Sequence, residues 1–229
     1  MKLIRRLTVS GSVLDVTDER VFLSLSEPGR AQFTVQKAAE QLAKLSAVAF
    51  DIGYAADSNS QRLFLGYIDS ITPIDNQHCK LFCREMAAAL QVKMPLSLRH
   101  PTLLDVLKAM YDQTGLDFSA PDKEYSSTKI PHFYNIGNGY QAMSGIGRAF
   151  RVDDFIYQQQ GEGVIYVGSW ADSRWSDKQA SVDYSYFSEQ LSNTSAKIAA
   201  IPAMRPGVEL NGNRVTGVEF SGNFMTLSW

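Results

Sequence analysis

From residue 3 to 85, apolar and polar residues mostly alternate, the period-two rhythm of strands with one buried face. VFLSLS (21–26) and AQFTVQ (31–36) alternate around a turn at Glu27-Pro28-Gly29. AVAFDIGY (47–54), LFLGYIDSITPI (63–74) and HCKLFCRE (78–85) continue the rhythm, with a polar loop at 55–61 and a turn at Asp75-Asn76. Between them KAAEQLAKLS (37–46) is rich in Ala and Leu at helical spacing, which predicts a short helix. Five or six short strands with turns between them predict a small barrel or sandwich.

After Met86 the period changes. Thr102 stands where an N-cap belongs, and Leu103, Val106, Leu107 and Met110 form an apolar stripe that predicts a helix over 103–113, stopped by Gly115. Residues 116–128 are polar and turn-rich, which predicts a surface loop. A glycine turn at 137–139 then opens a helix over 140–150, with Met143, Ile146, Gly147 and Phe150 on one face. DFIYQQQ and VIYVGSW, joined by Gly161-Glu162-Gly163, predict a hairpin over 154–170. The closing stretch reads as strands again: ASVDYSYF (180–187), AKIAAIP, then ELNGNRVTGVEF with Asn211-Gly212 as a hairpin signal, and FMTLSW (224–229). The fold class is therefore α+β, mainly β, with division into 1–92, a mixed middle of 93–170, and closing strands over 171–229.

Composition narrows the function classes. With 22 basic and 24 acidic residues interleaved along 229 positions, net charge is -2. No basic stripe offers counterion release, so no specific nucleic-acid binding is expected. No apolar run is long enough to span a bilayer, and the N-terminus lacks the apolar core of a secretory signal. Cys79 and Cys83 lie four apart in one strand, roughly 13 Å between Cβ atoms, too far for a disulfide. Two free thiols fit synthesis in a reducing cytoplasm.

Chemical motifs are weak. Gly137-Asn138-Gly139-Tyr140-Gln141-Ala142 matches the loose GxGxxA nucleotide pattern, but no buried aliphatic strand precedes it, and a glycine turn that starts a helix is the simpler account. His78, Cys79 and Cys83 with His100 or His132 lack the paired short spacings of zinc ligands. Asp153-Asp154 beside Tyr157, or Asp172 near Arg174, could furnish a carboxylate pair, though nothing in their spacing requires it. No catalytic, cofactor-binding or metal-binding residue is assigned, and no cofactor is expected. Arg151, Trp170, Arg174 and Trp175 stand out instead, since arginine and rigid aromatics concentrate binding energy at interfaces. A carbohydrate platform or small hydrolase built on Trp170 and Trp175 is the alternative.

Several of these segments together resemble the tail hub family of tailed phages, which includes baseplate hubs, late-control tail proteins and the N-terminal hub region of type VI secretion spike proteins. LFLGYIDSITPI is similar to a family strand reading F-x-G-x-I/V before a polar loop. LSLRHPTLLDVLKAMYDQTGLDF resembles the family's R-x-x-T-x-x-D-V-L helix, which ends in a glycine and an apolar residue. GYQAMSGIGRAFRVDDFIYQQQGEGVIYVG resembles its helix-then-hairpin, and IPAMRPGVELNGNRVTGVEFSGNFMTLSW its closing strands.

The resemblance implies two tail-tube-like β-barrel domains with the helix-containing segment between them. It also implies a non-enzymatic virion structural protein of a phage or prophage. Such a protein is made in the bacterial host cytoplasm and placed at the tail tip. Three copies would form a ring, meeting the tail tube or distal tail protein on one side and tip or spike proteins on the other. Many members continue into a spike-docking portion, for which these 229 residues show no counterpart. The terminal runs 3–10 and 224–229 are the expected free edges of the ring-forming sheet, with Arg151, Trp170, Arg174 and Trp175 as anchors.

Overall fold

A computed structural model describes residues 2–56 and 60–229; the centre of the expected polar loop, 57–59, lies outside them. The chain forms two compact units, one of residues 1–86 with 178–229 and the other of 87–177. This division joins the opening strands to the closing ones, where the sequence reading set 171–229 apart.

The first unit opens with β1 (Leu3–Val9), β2 (Ser12–Leu14), β3 (Val16–Ser24), β4 (Arg30–Val35), β5 (Ala47–Tyr54), β6 (Gln61–Pro73) and β7 (Cys79–Glu85). Period two holds along them: Ala31, Phe33 and Val35 point inward from β4, and Cys79, Leu81, Cys83 and Glu85 from β7. Segment 37–46 forms only a 3₁₀ turn at Ala39–Gln41 rather than a helix. No residue from 36 to 47 is buried and Ala38 offers no side-chain cap, so neither packing nor capping offsets the cost of nucleating so short a helix.

After the second unit, described below, the chain returns with β13 (Gln179–Ala180), β14 (Phe187–Ser192), β15 (Ser195–Ala199), β16 (Glu209–Leu210), β17 (Asn213–Arg214), β18 (Gly217–Ser221) and β19 (Phe224–Ser228). The continuous strand expected over 180–187 does not form. Both polar groups of the Asn211 side chain engage the backbone of Val182, its amide oxygen accepting from the N–H and its amide nitrogen donating to the carbonyl, each at 2.9 Å. That tie replaces the ladder a strand would need. Asn211 and Gly212 take φ of 49° and 80°, the left-handed pair that a tight β16–β17 hairpin demands.

Eleven strands share one sheet in the order β14-β15-β19-β18-β3-β4-β7-β6-β5-β1-β2. Four of the closing strands thus belong to the opening sheet, β18 pairing with β3 through Val218↔Leu23 and Phe220↔Val21, while β13, β16 and β17 form a small sheet of their own. The sheet is rolled. Five strand spacings separate β5 from β18, roughly 24 Å if flat, yet the rings of Phe50 and Phe220 are 5.9 Å apart. Phe33 on β4 also meets Phe50, at 5.0 Å. The roll is held by one bent run. Ser12–Leu14 pairs with β1, and beyond Asp15 the same run pairs with β4, from Val16↔Val35 to Phe22↔Arg30. The sheet's end strands, β2 and β14, do not pair with each other.

The second unit contains β8 (Leu96–Arg99), α1 (Leu103–Thr114), β9 (Phe118–Ser119), α2 (Glu124–Ser127), β10 (His132–Asn135), α3 (Gly139–Ala149), β11 (Phe155–Gln159) and β12 (Ile165–Ser169). Thr102 and Asp105 form a capping box: the Thr102 hydroxyl accepts from Asp105 N–H at 3.2 Å, and the Asp105 carboxylate accepts from Thr102 N–H at 2.9 Å. Gly115 ends α1 at φ 68°. The family-like T-x-x-D motif is therefore a helix start. Segment 116–128, expected as plain loop, carries β9, which pairs in parallel with β12, and the single-turn α2. Alternation cannot signal a two-residue strand, so its partner alone defines it.

Candidate assembly surfaces

The sequence-predicted chemical groups are placed where they serve the fold. At 137–142 the loose nucleotide pattern is a second capping box, with Asn138 Oδ1 accepting from Gln141 N–H at 3.0 Å and Gln141 Oε1 accepting from Asn138 N–H at 3.1 Å. The Gln141 side chain fills the space over Gly137, its oxygen lying 1.4 Å from where a Cβ would stand. A phosphate could not sit there. The readable signal was N-x-x-Q rather than G-x-G.

Both cysteines are buried on the inner face of β7. Burial, with a smaller contribution from Asp69, pushes the Cys83 thiol up to about 12, and burial raises Cys79 as well. Burial thus disfavours the thiolate form of both. His78 Nδ1 instead lies 3.0 Å from Asp75 in a surface turn. Among the described residues no cluster of three His, Cys, Asp or Glu is placed to hold a metal, and no helix is long and apolar enough to cross a membrane.

Asp172 does not join Arg174. It accepts from the Tyr125 hydroxyl at 3.0 Å and pairs with Lys123 at 3.0 Å, bonds that hold its carboxyl below the usual range, the lysine contributing most. Tyr125 also accepts from Ser169 N–H at 3.2 Å, and Tyr166 donates to the Ser169 carbonyl at 2.8 Å. Burial first, then the neighbouring Tyr125 and Asp172, push the Tyr166 hydroxyl far up. This cluster clamps the 121–126 segment to β12. Asp153 and Asp154 are exposed in the turn before β11.

Among the interface candidates, Arg151 is exposed at φ 50° just beyond α3, and Trp170 is half-buried in a 3₁₀ turn. Arg174 bonds Glu162 at 2.9 Å and lies 4.7 Å over the Trp175 ring. Trp175 is only 6% exposed. Its ring is buried with Arg174 over it, so it does not form an open sugar-stacking platform with Trp170 and is not an exposed anchor.

The expected free edges move in part. β19 lies between β15 and β18, so the closing run is interior, whereas β1 pairs with β5 along its length and with β2 only through Leu7, Thr8 and Val9. Ser10 and Gly11, at φ 47° and 85°, make a tight turn that returns β2 onto β1 and covers its last three residues. The edges of the sheet are β2, with Val13 63% exposed, and β14, with Leu191 50% exposed. Beside β14 lies a hollow of about 170 Å³, bordered by Phe187, Leu210 and Trp229.

No protein-family model matches the chain. It is 34% identical over 228 residues to an uncharacterized 58.7 kDa protein of Haemophilus phage HP1, a match covering all of this chain and 42% of that protein's length. In three dimensions it is similar to the 43 kDa tail protein of prophage MuSo2 from Shewanella oneidensis, with TM-score 0.72 and 10% identity over 99% of this chain and 98% of that one. The tail protein from Neisseria meningitidis MC58 gives 0.70 and 10%, over 99% and 96%. The chain has the fold of phage tail proteins. The fold extends to an E. coli component of the type VI secretion system that is itself structurally similar to T4 tail proteins gp27 and gp5, at TM-score 0.66 and 15% identity over 97% and 75% of the two chains.

Proposed function

We propose that this chain is a structural, non-enzymatic phage tail protein that acts as a hub at the tail tip, forming a ring that continues the tail tube. The observation that carries the reading is the fold, which matches phage tail proteins across nearly the whole of both chains. The relative in phage HP1 supports a phage or prophage origin. The sheet supports the ring. An edge strand exposes N–H and C=O groups that seek a partner, and β2 and β14 are two different edges of one sheet. Pairing β14 of one copy with β2 of the next is a head-to-tail contact, the kind that closes into rings. Three copies of the 25.4 kDa chain close at about 76 kDa by cyclic symmetry. Arg151, Trp170 and Arg174 are proposed as contacts, with Trp175 holding Arg174 in place from within. The tail tube or distal tail protein and the tip or spike proteins are the proposed neighbours.

Light scattering on concentrated protein, paired with electron microscopy of assembled tails, tests this reading. A species near 76 kDa and a threefold ring of this chain at the tip are expected. Monomer at every concentration, with no such ring in the tail, would remove the hub.

A separate expectation concerns pH. Glu85 ends β7 inside the first unit, with its carboxylate accepting from Gly29 N–H at 2.6 Å. Burial raises its pKa from 4.5 to about 7, opposed by the Gly29 bond and by the charge of Arg205. Between those values the folded chain holds a proton that the unfolded chain has released. Stability attributable to Glu85 is therefore present below about pH 4.5 and lost as pH rises to about 7, on the order of 3 kcal/mol. Urea midpoints measured from pH 4 to 9 should show that fall in the native protein and a flatter profile in Glu85→Gln. Identical profiles would show that the carboxylate is not the titrating group.

A further inference from the structure

The outer face of the rolled sheet carries a pattern unrelated to its edges. Opposite the core, β3 presents Arg20 and Phe22, β4 presents Arg30 and Gln32, and β7 presents Phe82 and Arg84. Strand register sets them in two adjoining rows. One runs Glu219, Phe22, Arg30, Arg84, Tyr67 and the next Ser221, Arg20, Gln32, Phe82. Arg30 and Arg84 are direct cross-strand partners, and like charges so placed destabilise a sheet. Each guanidinium lies over a ring, Arg30 at 4.8 Å from the centre of Phe22 and Arg84 at 5.8 Å from that of Phe82. Arg20 pairs with Glu219 at 2.5 Å, and Arg84 lies 3.8 Å from Asp69. Arg30 makes no ion pair among the described residues. The rows border an open hollow of about 250 Å³.

We propose that this face binds a carboxylate-bearing, partly apolar segment of a neighbouring protein chain, anchored by Arg30 and Arg84. A guanidinium lying over an aromatic ring can still donate from its N–H edges, and Arg30, exposed and in no ion pair among the described residues, is the main anchor, with Arg84 beside it. The planar guanidinium fork matches a carboxylate with two parallel hydrogen bonds. The rows are two residues apart along each strand, roughly 6.8 Å. Alternate side chains of an extended segment have the same spacing. A carboxylate over Arg30 and Arg84 therefore places the next same-side group over Phe82, where an apolar side chain fits. Nucleic acid fits poorly: three arginines face two acids here, and phosphates arriving about every 1.7 Å would meet Glu219 and Asp69 with too little countercharge. The face lies within the first unit and does not depend on the ring or on how many copies form it.

The test is fluorescence anisotropy with the full chain and a labelled peptide alternating Glu and Leu. Saturable binding is expected, about tenfold weaker in Arg30→Gln and weaker still in the double variant with Arg84→Gln, as each charge-assisted bond is lost. A peptide alternating Lys and Leu, and duplex DNA, are expected not to bind. If either Gln variant fails to fold by circular dichroism, Arg30→Lys is read in its place; it keeps the charge, drops the fork and should also weaken binding. No saturation with peptide on the order of 1 mM, undiminished binding by the variants, or arginine-dependent binding of DNA as tight as that of the peptide would overturn the proposal.

Discussion

Replacing Gly66 with alanine is expected to unfold or severely destabilise the first unit. Gly66 sits in β6 opposite Glu85 on β7, and a Cβ there would stand 1.9 Å from the carbonyl oxygen of Arg84. The obstacle is backbone of the neighbouring strand, which cannot rotate away as a side chain could. The ring of Phe64 stands 2.9 Å off and blocks the other escape. Accommodating the methyl would part β6 from β7 in the middle of the sheet. The loss should exceed the roughly 1–3 kcal/mol of ordinary overpacking. A thermal melt should show a large fall in midpoint or no cooperative transition, whereas a melt like that of the native protein would mean that the strands can part at little cost. The glycine in the family-like LFLGYI strand thus has a physical reason: it lets two strands approach, and no unusual φ is involved.

The second large effect is expected from Phe50→Ala. Phe50 is fully buried, meets Phe33 at 5.0 Å and Phe220 at 5.9 Å, and so joins three strands that are distant along the sheet. Truncation removes the transfer energy of the ring and leaves a cavity that the rolled sheet can only partly collapse, about 3–5 kcal/mol. For a chain of this size that corresponds to a midpoint lower by roughly 10 °C. Phe50→Leu should lose clearly less, because it keeps most of the apolar volume. Equal losses in the two variants would argue that ring contact, rather than filled space, is what Phe50 supplies.

The glycine and the phenylalanine also mark two kinds of information in the chain. Local chemistry is legible residue by residue. AVAFDIGY alternates because one face is buried, and β5 spans the same residues, 47–54. Thr102 caps α1 because a hydroxyl before an apolar stripe satisfies a helix's free N–H groups. Asn211-Gly212 turns because its residues tolerate positive φ. Period two likewise placed Cys79 and Cys83 on one face, where the structure buries both.

What alternation cannot carry is the identity of a strand's neighbour, since any strand with one apolar face can pair with any other. That choice rests on contacts between residues far apart in sequence. β18 joining β3, β2 and β3 acting as one bent run shared by β1 and β4, and the closing run lying inside the sheet were all decided there. So was the fate of the candidate anchors: Trp175, a candidate anchor in sequence, is buried in the structure. The arginine and phenylalanine rows are the clearest case. Arg20, Arg30 and Arg84 are unremarkable solvent-facing positions in three separate runs, and only the register of β3, β4 and β7 makes them neighbours. The sequence by itself determined which residues turn inward, where helices start and where the chain reverses, because those depend on bonds and burial within a few residues. The tertiary structure alone decided the strand order, the free edges and the composition of each surface, because strand pairing is non-local.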